Sequence, residues 1–350
     1  MSLLDTLLHS NLPNAPRLAS LSPEAAMPGG EIEITGTHLA AVDGVLPLPS
    51  FGDTLAPLAL SSFARAIVRI PEGVISSDLV IASAHGMSNR LPVRIATPLA
   101  ENVHPVANPA VDTDGNIYTT LSGPRGQQTP VSIFRIDRSL QMRPFARDIL
   151  NPTGLAFDAE GYLYCSSRAE GTVYRISPAG AVTTFVEGMG IATGLAFDKA
   201  GNLFVGDRSG TIFKVSTSRE IYVHATLEPS VAAYHLAVLD DAGTLIVSAP
   251  NTASHDAIYS ITPDGEVSTW FRGLGRPQGM AISATGDVYI AASYMGRRGI
   301  IRITAQREAS LVVSGQNVLG IAFTGDGIAA LATRDALYQI DMQTEGRGLI

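Results

Sequence analysis

The clearest pattern in the chain is a short segment, one small or polar residue followed by three mostly apolar ones, that recurs through the last 250 or so residues. Its copies begin at residues 108, 154, 194, 235, 279 and 320, so the steps between them are 46, 40, 41, 44 and 41 residues. Four copies are strong, at 154–157, 194–197, 279–282 and 320–323. A period of this length predicts a β-propeller with about four strands in each blade.

The polar and apolar positions inside each copy predict the strands of one blade. In the second repeat the inner strand, 155–158, is continuously apolar, as expected for a strand buried on both faces. A turn at 158–161 follows, with Asp at its first position and Gly at its last. The other strands of these blades and the remaining third strands are predicted at 162–166, 172–176, 182–187, 202–206, 211–215, 132–137, 257–261, 299–303 and 336–340.

The two ends of the repeat region predict how the propeller closes. The sixth repeat lacks an outer strand, because the chain ends soon after Ile340. Residues 96–102, upstream of the first inner strand, have the pattern of a spare outer strand. We expect this segment to complete the last blade, because that pairing removes the free sheet edges of the ring.

A different pattern precedes the repeats. Residues 15–97 contain short alternating strands at 31–35, 66–70, 78–82 and 91–95, separated by Gly and Pro turns, which predicts an immunoglobulin-like β-sandwich. Residues 1–14 form a tail whose Leu3, Leu4, Leu7 and Leu8 have helical spacing. The predicted fold is therefore all-β: a tail, 1–14; a sandwich, 15–97; and a six-bladed propeller, 98–345.

Two parts of the chain resemble known families. Residues 20–23 (Ser-Leu-Ser-Pro), 29–30 (Gly-Gly) and 34–36 (Ile-Thr-Gly) resemble the IPT/TIG domain over about 80 residues. The repeat at 193–207 (Thr-Gly-Leu-Ala-Phe-Asp-Lys-Ala-Gly-Asn-Leu-Phe-Val-Gly-Asp) looks like an NHL repeat, and such repeats grade into the gluconolactonase (senescence marker protein) family of six-bladed propellers. Propellers host hydrolases, lyases and binding modules, so this resemblance implies a fold more than a function.

Composition and charge limit the classes of binding partner and the cellular compartment that the sequence predicts. The formal net charge of −8 and the sequence pI near 5.4 give no general basic surface for nucleic acid or an anionic membrane. Cys165 is the single cysteine, which excludes an intramolecular disulfide. No apolar run reaches the roughly 18 residues of a membrane span. Residues 1–9 carry Asp5 and no basic stretch, so a native N-terminus here predicts a cytoplasmic protein.

Arginine is the main candidate for binding chemistry. Five of the six loops between second and third strands carry it, and the sixth carries His255 and Asp256. The arginines are Arg125, Arg168, Arg208, Arg297 with Arg298, and Arg334. If they converge at the channel mouth, their guanidinium groups favour a carboxylate, a phosphate or an acidic partner. Some NHL propellers bind RNA on such a face. The structural alternative is that neighbouring Asp and Arg residues tie the blades together.

The gluconolactonase resemblance implies a divalent metal on the axis, held by Glu, Asn and Asp. At the matching positions this chain has Ala107, Tyr234 and Gln278, so all three are changed and only Gln278 keeps an amide oxygen; His235 stands where the repeat has glycine. A hydrolase or lyase of that type, with calcium or zinc, is the alternative to a binding module. His104, His235 and His255 are a further candidate metal set, although single loop histidines are commonly satisfied by backbone or water.

Aromatic and thioether side chains near the mouth have two interpretations. Tyr234, Tyr294 and Met295 could stack on a ligand or fill the channel. Cys165 lies in a second strand and is expected to be a small buried hydrophobe. The sequence thus predicts a binding propeller with no assigned catalytic residue, metal ligand or oligomeric state. Its candidate ligand-binding residues are Arg168, Arg208, Tyr234, His235, Gln278, Tyr294, Arg298 and Arg334.

Overall fold

The computed structural model describes residues 14–74, 78–124, 126–252 and 255–348, and the helix predicted within 1–14 lies outside this part. Within these ranges the regular elements are β-strands. No described helix is long and apolar enough to cross a membrane. The chain divides into two compact units. The first comprises Met1–Thr97 and Leu311–Gln316, and the second comprises Pro98–Ser310 and Asn317–Ile350.

The first unit contains two antiparallel sheets that share one apolar core. One sheet has the strand order Arg17–Ser22, Glu31–Thr37, Arg65–Arg69, Leu58–Ser61; the other has the order Leu91–Pro92, Asp78–Ser83, Leu48–Phe51, Thr54–Leu55, with Gly86–Met87 beside Asp78–Ser83. The alternation of apolar and polar residues along a strand determines which side chains enter the core. Ile32 and Ile34 are fully buried, whereas Glu31 and Glu33 are only partly buried. Leu79 and Ile81 of the other sheet join them in the same cluster.

A short parallel pairing brings a distant segment into the first unit. Ala25–Ala26 pairs with Arg94–Ile95 on one side and with Val313 and Ser314 on the other. The backbone nitrogen of Met27 donates to the Ser314 carbonyl at 2.7 Å. The repeat pattern had assigned residues 311–316 to the propeller. They group with the first unit, with which they form these hydrogen bonds. The repeat pattern of the sequence does not indicate this pairing.

The second unit is built from repeated sheets that follow one another along the chain. Sheet 1 comprises Ala110–Val111, Ile117–Thr120, Ile133–Ile136 and Met142–Ala146; sheet 2, Pro152–Phe157, Leu163–Ser167, Thr172–Ile176 and Val182–Val186; sheet 3, Ala192–Phe197, Leu203–Asp207, Thr211–Val215 and Ile221–Thr226; sheet 4, His235–Val238, Leu245–Ser248, Asp256–Ile261 and Val267–Leu274. Sheet 5 contains Met280–Ile282, Val288–Tyr294 and Arg297–Ile303; the next strand along the chain, Ala309–Ser314, is divided between the units. Sheet 6 contains Val318–Gly325, Ile328–Thr333, Ala336–Asp341 and Thr97–Glu101.

The turns and strand positions follow the sequence pattern closely. Gly161 has a φ of 83°, which suits glycine, and its nitrogen donates to the Asp158 carbonyl at 3.2 Å. The Asp158 carboxylate also accepts from the backbone nitrogens of Glu160 and Tyr162, which fixes the turn. The predicted third strands at 172–176 and 211–215 have the predicted bounds. The prediction that the segment at 96–102 pairs with the end of the chain is confirmed, because Thr97–Glu101 is hydrogen-bonded to Ala336–Asp341.

Neighbouring sheets approach each other at the repeat glycines. A Cβ atom on Gly194 would lie 2.5 Å from the Tyr234 carbonyl oxygen, and one on Gly279 would lie 2.6 Å from the Leu319 carbonyl oxygen. Only glycine permits this spacing, which explains why the four strong copies of the repeat begin with it. Sheet 6 in turn contacts sheet 1, where the Ile321 nitrogen donates to the Asn108 side chain. Repeated four-stranded sheets packed in this way define a β-propeller.

Candidate functional site

Two of the predicted binding residues, Arg168 and Arg208, line one cavity of about 490 Å³ in the second unit. Each follows the second strand of its sheet, Leu163–Ser167 in sheet 2 and Leu203–Asp207 in sheet 3. Equivalent positions in consecutive repeats therefore place both guanidinium groups at the same cavity. The remaining lining residues are Asn151, Ala169, Ile191, Ser209, Pro229 and Ser230.

The position of Arg168 is set by the loop that enters sheet 2. Its backbone nitrogen donates to the Asn151 carbonyl at 3.4 Å, and its Nη2 donates to the Ser122 hydroxyl at 3.3 Å. Asn151 is itself fixed, because its Oδ1 accepts from the Gly126 nitrogen at 2.8 Å. Its Nδ2 donates to the carbonyls of Gly123 and Pro124, each at 3.1 Å. Arg168 is therefore positioned by a loop that the hydrogen-bonded side-chain amide of Asn151 holds in place.

The position of Arg208 depends on two neighbouring loops. Its Nε donates to the Ser230 carbonyl at 3.1 Å, and the Ser230 nitrogen donates back to the Arg208 carbonyl at 3.0 Å. The buried carboxylate of Asp207 holds the loop, because its Oδ1 accepts from the nitrogens of Ile191 at 2.8 Å and Ser209 at 3.0 Å. Both residues of the Asp207–Arg208 pair therefore have a structural contact, since Asp207 holds its own loop and the Arg208 Nε joins that loop to Ser230.

Two arginines line the cavity, and the described lining residues include no acidic side chain. The Asp207 carboxylate lies directly behind the wall, where it accepts from the backbone of Ile191 and Ser209. Arg208 is exposed, and its Nε is bonded to the Ser230 carbonyl. The two terminal nitrogens of a guanidinium group can bind a carboxylate or phosphate through paired hydrogen bonds. Such a cavity is suited to a small anion.

Four of the other predicted residues lie outside this cavity. Gln278 accepts from the Ser248 hydroxyl through its backbone carbonyl at 2.7 Å. Tyr294 is half-buried opposite Arg297 in sheet 5. Arg298 is half-buried, and burial together with the nearby Arg276 lowers the pKa of its guanidinium. Arg334 is exposed in the turn after Ile328–Thr333. A further arginine of the predicted mouth, Arg125, falls outside the described residues.

Tyr234 and His235 are buried and also lie outside the cavity. Tyr234 has no exposed surface, and its hydroxyl donates to the backbone carbonyl of Glu228. His235 is 4% exposed, and burial lowers the pKa of its imidazole to about 4, so the ring is neutral near pH 7. Of the two proposed roles for Tyr234, this placement is that of a packing residue. A neutral buried His235 adds no positive charge to the site.

The sequence reasoning missed most of the cavity wall. Asn151, Ile191 and Ser230 come from the loops that lead from an outer strand into the next inner strand. One signal was available, since Asn151 stands directly before Pro152, and such dipeptides commonly occur in loops and turns. The lengths of these loops gave no indication of which of them reach the arginines.

The axial positions do not fit the divalent metal that the gluconolactonase resemblance implies. The Asn108 amide is already used by the protein: its Nδ2 donates to the Met280 carbonyl at 2.6 Å and its Oδ1 accepts from the Ile321 nitrogen at 3.1 Å. Tyr234 stands where that family is expected to have an amide, and it is fully buried with its hydroxyl bonded to the Glu228 carbonyl. The described residues contain no group of three His, Cys, Asp or Glu side chains that could hold a metal ion. His104 lies instead 3.5 Å from the Asp335 carboxylate.

Cys165 has the environment expected of a packing residue. It is fully buried in the cluster that contains Ile133 and Leu163, and burial raises the pKa of its thiol to about 12. A thiol with so high a pKa is not a thiolate at physiological pH and is a poor nucleophile. The prediction that it is a small buried hydrophobe is confirmed.

Comparison with known proteins supports the fold class. No family model matches the chain, and no curated protein matches it significantly. Among solved structures, a proposed gluconolactonase is 16% identical, with a TM-score of 0.59 over 73% of this chain and 94% of the other. A streptogramin B lyase is 14% identical, with a TM-score of 0.52 over 70% of this chain and 96% of the other.

A third similar structure extends over both units. It is an auxiliary nutrient binding protein from Bacteroides ovatus ATCC 8483, 11% identical, with a TM-score of 0.53 over 94% of this chain and 98% of the other. Identities this low establish a shared fold only. Together with the repeated sheets, they place the chain among the β-propeller proteins.

Proposed function

We propose that the propeller is a binding module for a small anionic ligand, which it holds in the cavity lined by Arg168 and Arg208. The observation that carries the proposal is the pairing of two arginines around about 490 Å³ with no described carboxylate in the lining. A cavity of that size accommodates a small molecule. The chemical class of the ligand is a carboxylate or a phosphate, because both match the donor geometry of guanidinium.

The finer architecture belongs to the same proposal. We infer that the six sheets of the second unit are six blades of a closed ring of NHL type. This is supported by the order of contacts around the repeat glycines and by the contact of sheet 6 with sheet 1. For the first unit we infer an immunoglobulin-like sandwich of IPT/TIG type, which is supported by its two sheets and shared core.

The fold alone does not decide between binding and catalysis. The similar structures include a nutrient binding protein, a proposed gluconolactonase and a lyase. Binding is favoured by the axis, where the Asn108 amide is engaged by backbone groups and the buried His235 is neutral. These residues offer neither the oxygen ligands of a metal site nor an exposed acid or base.

The test is a thermal-shift and calorimetric titration of the full chain with gluconate, citrate and inorganic phosphate, with glucose as the uncharged counterpart of gluconate. We expect at least one anion to raise the melting temperature by mass action and glucose to leave it unchanged. Arg168→Gln and Arg208→Gln should each weaken the binding of that anion by about tenfold. Arg143→Gln, which removes an exposed arginine of sheet 1 outside the cavity, is the matched control.

Three results would overturn the proposal. One is that none of the three anions binds. Another is that Arg143→Gln weakens the anion as much as the cavity variants do, because binding would then reflect overall charge. The third is turnover of gluconolactone by the intact protein at a rate that Arg168→Gln and Arg208→Gln do not change, which would instead favour an enzyme with its site elsewhere.

A further inference from the structure

Two arginines at sheet 5, Arg276 and Arg298, have none of the usual partners of an arginine side chain. Arg276 lies in the loop that leads into the inner strand of sheet 5, and Arg298 lies at the start of the third strand, Arg297–Ile303. The part of the chain that the structure describes provides no hydrogen bond and no ion pair to either guanidinium group. The terminal nitrogens of both groups therefore keep their donors available for a ligand.

Backbone pairing holds the two arginines on neighbouring segments. Ser293 lies opposite Arg298 in the sheet. The Gly275 nitrogen donates to the Ser293 carbonyl at 2.8 Å, and the Ser293 nitrogen donates to the Gly275 carbonyl at 2.9 Å. Gly275 directly precedes Arg276 in the chain. Ser293 therefore lies between the two segments that carry the arginines.

The backbone of Arg276 is held in an unusual conformation. Its φ is 47°, in the left-handed region that an arginine rarely adopts. Its nitrogen donates to the Asp256 carboxylate at 3.1 Å. The other oxygen of that carboxylate accepts from the Asn251 nitrogen at 3.0 Å, so buried Asp256 is occupied by backbone groups. Such conformations are concentrated at binding and active sites, where the surrounding structure enforces them.

The equivalent position in sheet 2 already lines a cavity, the one formed around Arg168 and Arg208, which is called the arginine cavity below. Asn151 and Arg276 each lie three residues before the glycine of a strong repeat copy, and each precedes a proline. The φ of Asn151 is 46°, close to that of Arg276. Asn151 is part of the arginine cavity, whereas Arg276 is not. The loop position that contributes to a cavity at sheet 2 therefore carries a cation at sheet 5.

The charge of Arg298 is poorly compensated by the protein. Arg298 is half-buried, and its Nε is shielded from solvent without a partner among the described groups. Burial and the nearby charge of Arg276 both lower the pKa of the Arg298 guanidinium. Two like charges that lie close together, one of them partly removed from water, destabilise the folded state unless a counter-charge is present. A bound anion supplies that counter-charge.

From the backbone pairing, the conformation of Arg276 and the uncompensated charges, we propose that Arg276 and Arg298 form a second anion-binding site, which takes a phosphate group. Two guanidinium groups match its charge, because a phosphate group carries about −1.5 to −2 at pH 7, more than a carboxylate. Its oxygens accept hydrogen bonds in several directions, which suits donors from two segments. Ser293, which pairs with both segments, adds a hydroxyl that has no partner among the described groups.

The experiment is an isothermal titration of the full chain carrying Arg168→Gln and Arg208→Gln, in which the arginine cavity has lost both guanidinium groups. The ligands are inorganic phosphate, glucose 6-phosphate as a phosphate monoester, and acetate, at constant ionic strength. We expect inorganic phosphate or glucose 6-phosphate to bind saturably, at least about tenfold more tightly than acetate. The tighter of the two identifies the source of the phosphate group. No saturable binding of either, or equally tight binding of acetate, would overturn the proposal.

Single substitutions in this background locate the site. Arg276→Gln and Arg298→Gln should each weaken phosphate binding by about tenfold. Arg143→Gln, which removes the same charge from an exposed position of sheet 1, should leave phosphate binding unchanged. Arg276 is exposed, so Arg276→Gln locates the site even if Arg298→Gln does not fold. A folded Arg276→Gln protein that binds phosphate as tightly as Arg143→Gln does would contradict the proposal.

Chemical protection keeps this inference distinct from the proposed function of the arginine cavity. Phenylglyoxal modifies accessible arginines, and mass spectrometry of the resulting peptides measures each position separately. In the wild type, phosphate should protect Arg276 and leave Arg143 reactive. Arg208→Gln should not change the protection of Arg276, whatever it does to anion binding in the arginine cavity. Equal protection of Arg143, or loss of Arg276 protection in Arg208→Gln, would contradict a separate site at sheet 5.

Discussion

The side-chain oxygen of Asn108 accepts a hydrogen bond from the backbone nitrogen of Ile321 at 3.1 Å, although 213 residues separate them. The same amide donates from Nδ2 to the Met280 carbonyl at 2.6 Å. One side chain just before the first strand of sheet 1 therefore satisfies backbone groups of sheets 5 and 6. This position begins a weak copy of the repeat, where the strong copies have glycine, so the exception to the pattern serves to join the first sheet to the last two.

We expect Asn108→Ala to lower the free energy of unfolding by about 1–3 kcal/mol, because it removes two hydrogen bonds and leaves their partners unsatisfied. Urea unfolding followed by circular dichroism measures the change. Asn116→Ala, which removes an amide bonded within sheet 1 only, is the control for a local amide. A loss for Asn108→Ala below that of the control would show that the bridge between sheets adds little.

The buried carboxylate of Asp207 predicts a second effect, on both stability and anion binding. Because it accepts from the nitrogens of Ile191 and Ser209, Asp207→Ala should lower the unfolding free energy by about 2–4 kcal/mol and weaken the anion at Arg208. Asp207→Asn keeps an acceptor oxygen and should recover most of both losses. Equal damage from the two variants would point to the negative charge itself as the important property.

Stability should depend on pH through His235. Its pKa falls from 6.5 to about 4 on burial, so between these values the unfolded chain binds a proton that the folded chain does not. The contribution of this group is complete above pH 6.5 and is lost as the pH falls toward 4, amounting to about 3 kcal/mol. Burial also lowers the pKa of His224, which acts in the same direction.

The measurement is the unfolding free energy at pH 7 and pH 5 for the wild type and His235→Gln. His235→Gln should reduce the difference between the two pH values, whatever its effect on stability at pH 7. An unchanged pH dependence in His235→Gln would mean that His235 does not titrate as its burial implies.

Cys165 offers a direct test of the packing of sheets 1 and 2. Because burial raises the pKa of its thiol to about 12, the folded protein should not react with 5,5′-dithiobis(2-nitrobenzoate) at pH 8. In urea, one thiol per chain should react rapidly. Fast reaction of the folded protein would show that the cluster around Cys165 opens readily.

The sequence predicted the propeller well because each copy of the repeat encodes the same arrangement of strands and turns. The turn at Asp158 and the strand at 172–176 follow from residue types within a few positions of each other. The closing strand was predictable as well, since an unpaired edge at one end of the chain matched a spare segment at the other. These inferences needed local pattern and counting alone.

The arginine cavity could not be predicted in the same way, because it depends on distances between loops. Arg168 and Arg208 were identified by their equivalent positions, yet the sequence did not distinguish them from Arg298 and Arg334, which lie elsewhere. Tyr234 was expected near the mouth, whereas the structure buries it completely. Burial of a residue at a strand end depends on the neighbouring sheet, which a single repeat does not encode.

The pairing of Ala25–Ala26 with Val313 and Ser314 has a consequence for biosynthesis. The first unit gains its final strand contacts only after the ribosome has translated nearly all of the propeller. The N-terminal part of the first unit is therefore synthesised before its partner strand exists. Dividing the chain at residue 97 would leave residues 311–316 of the first unit on the fragment that contains the second unit. To express the first unit separately, residues 311–316 would have to be joined to the N-terminal fragment.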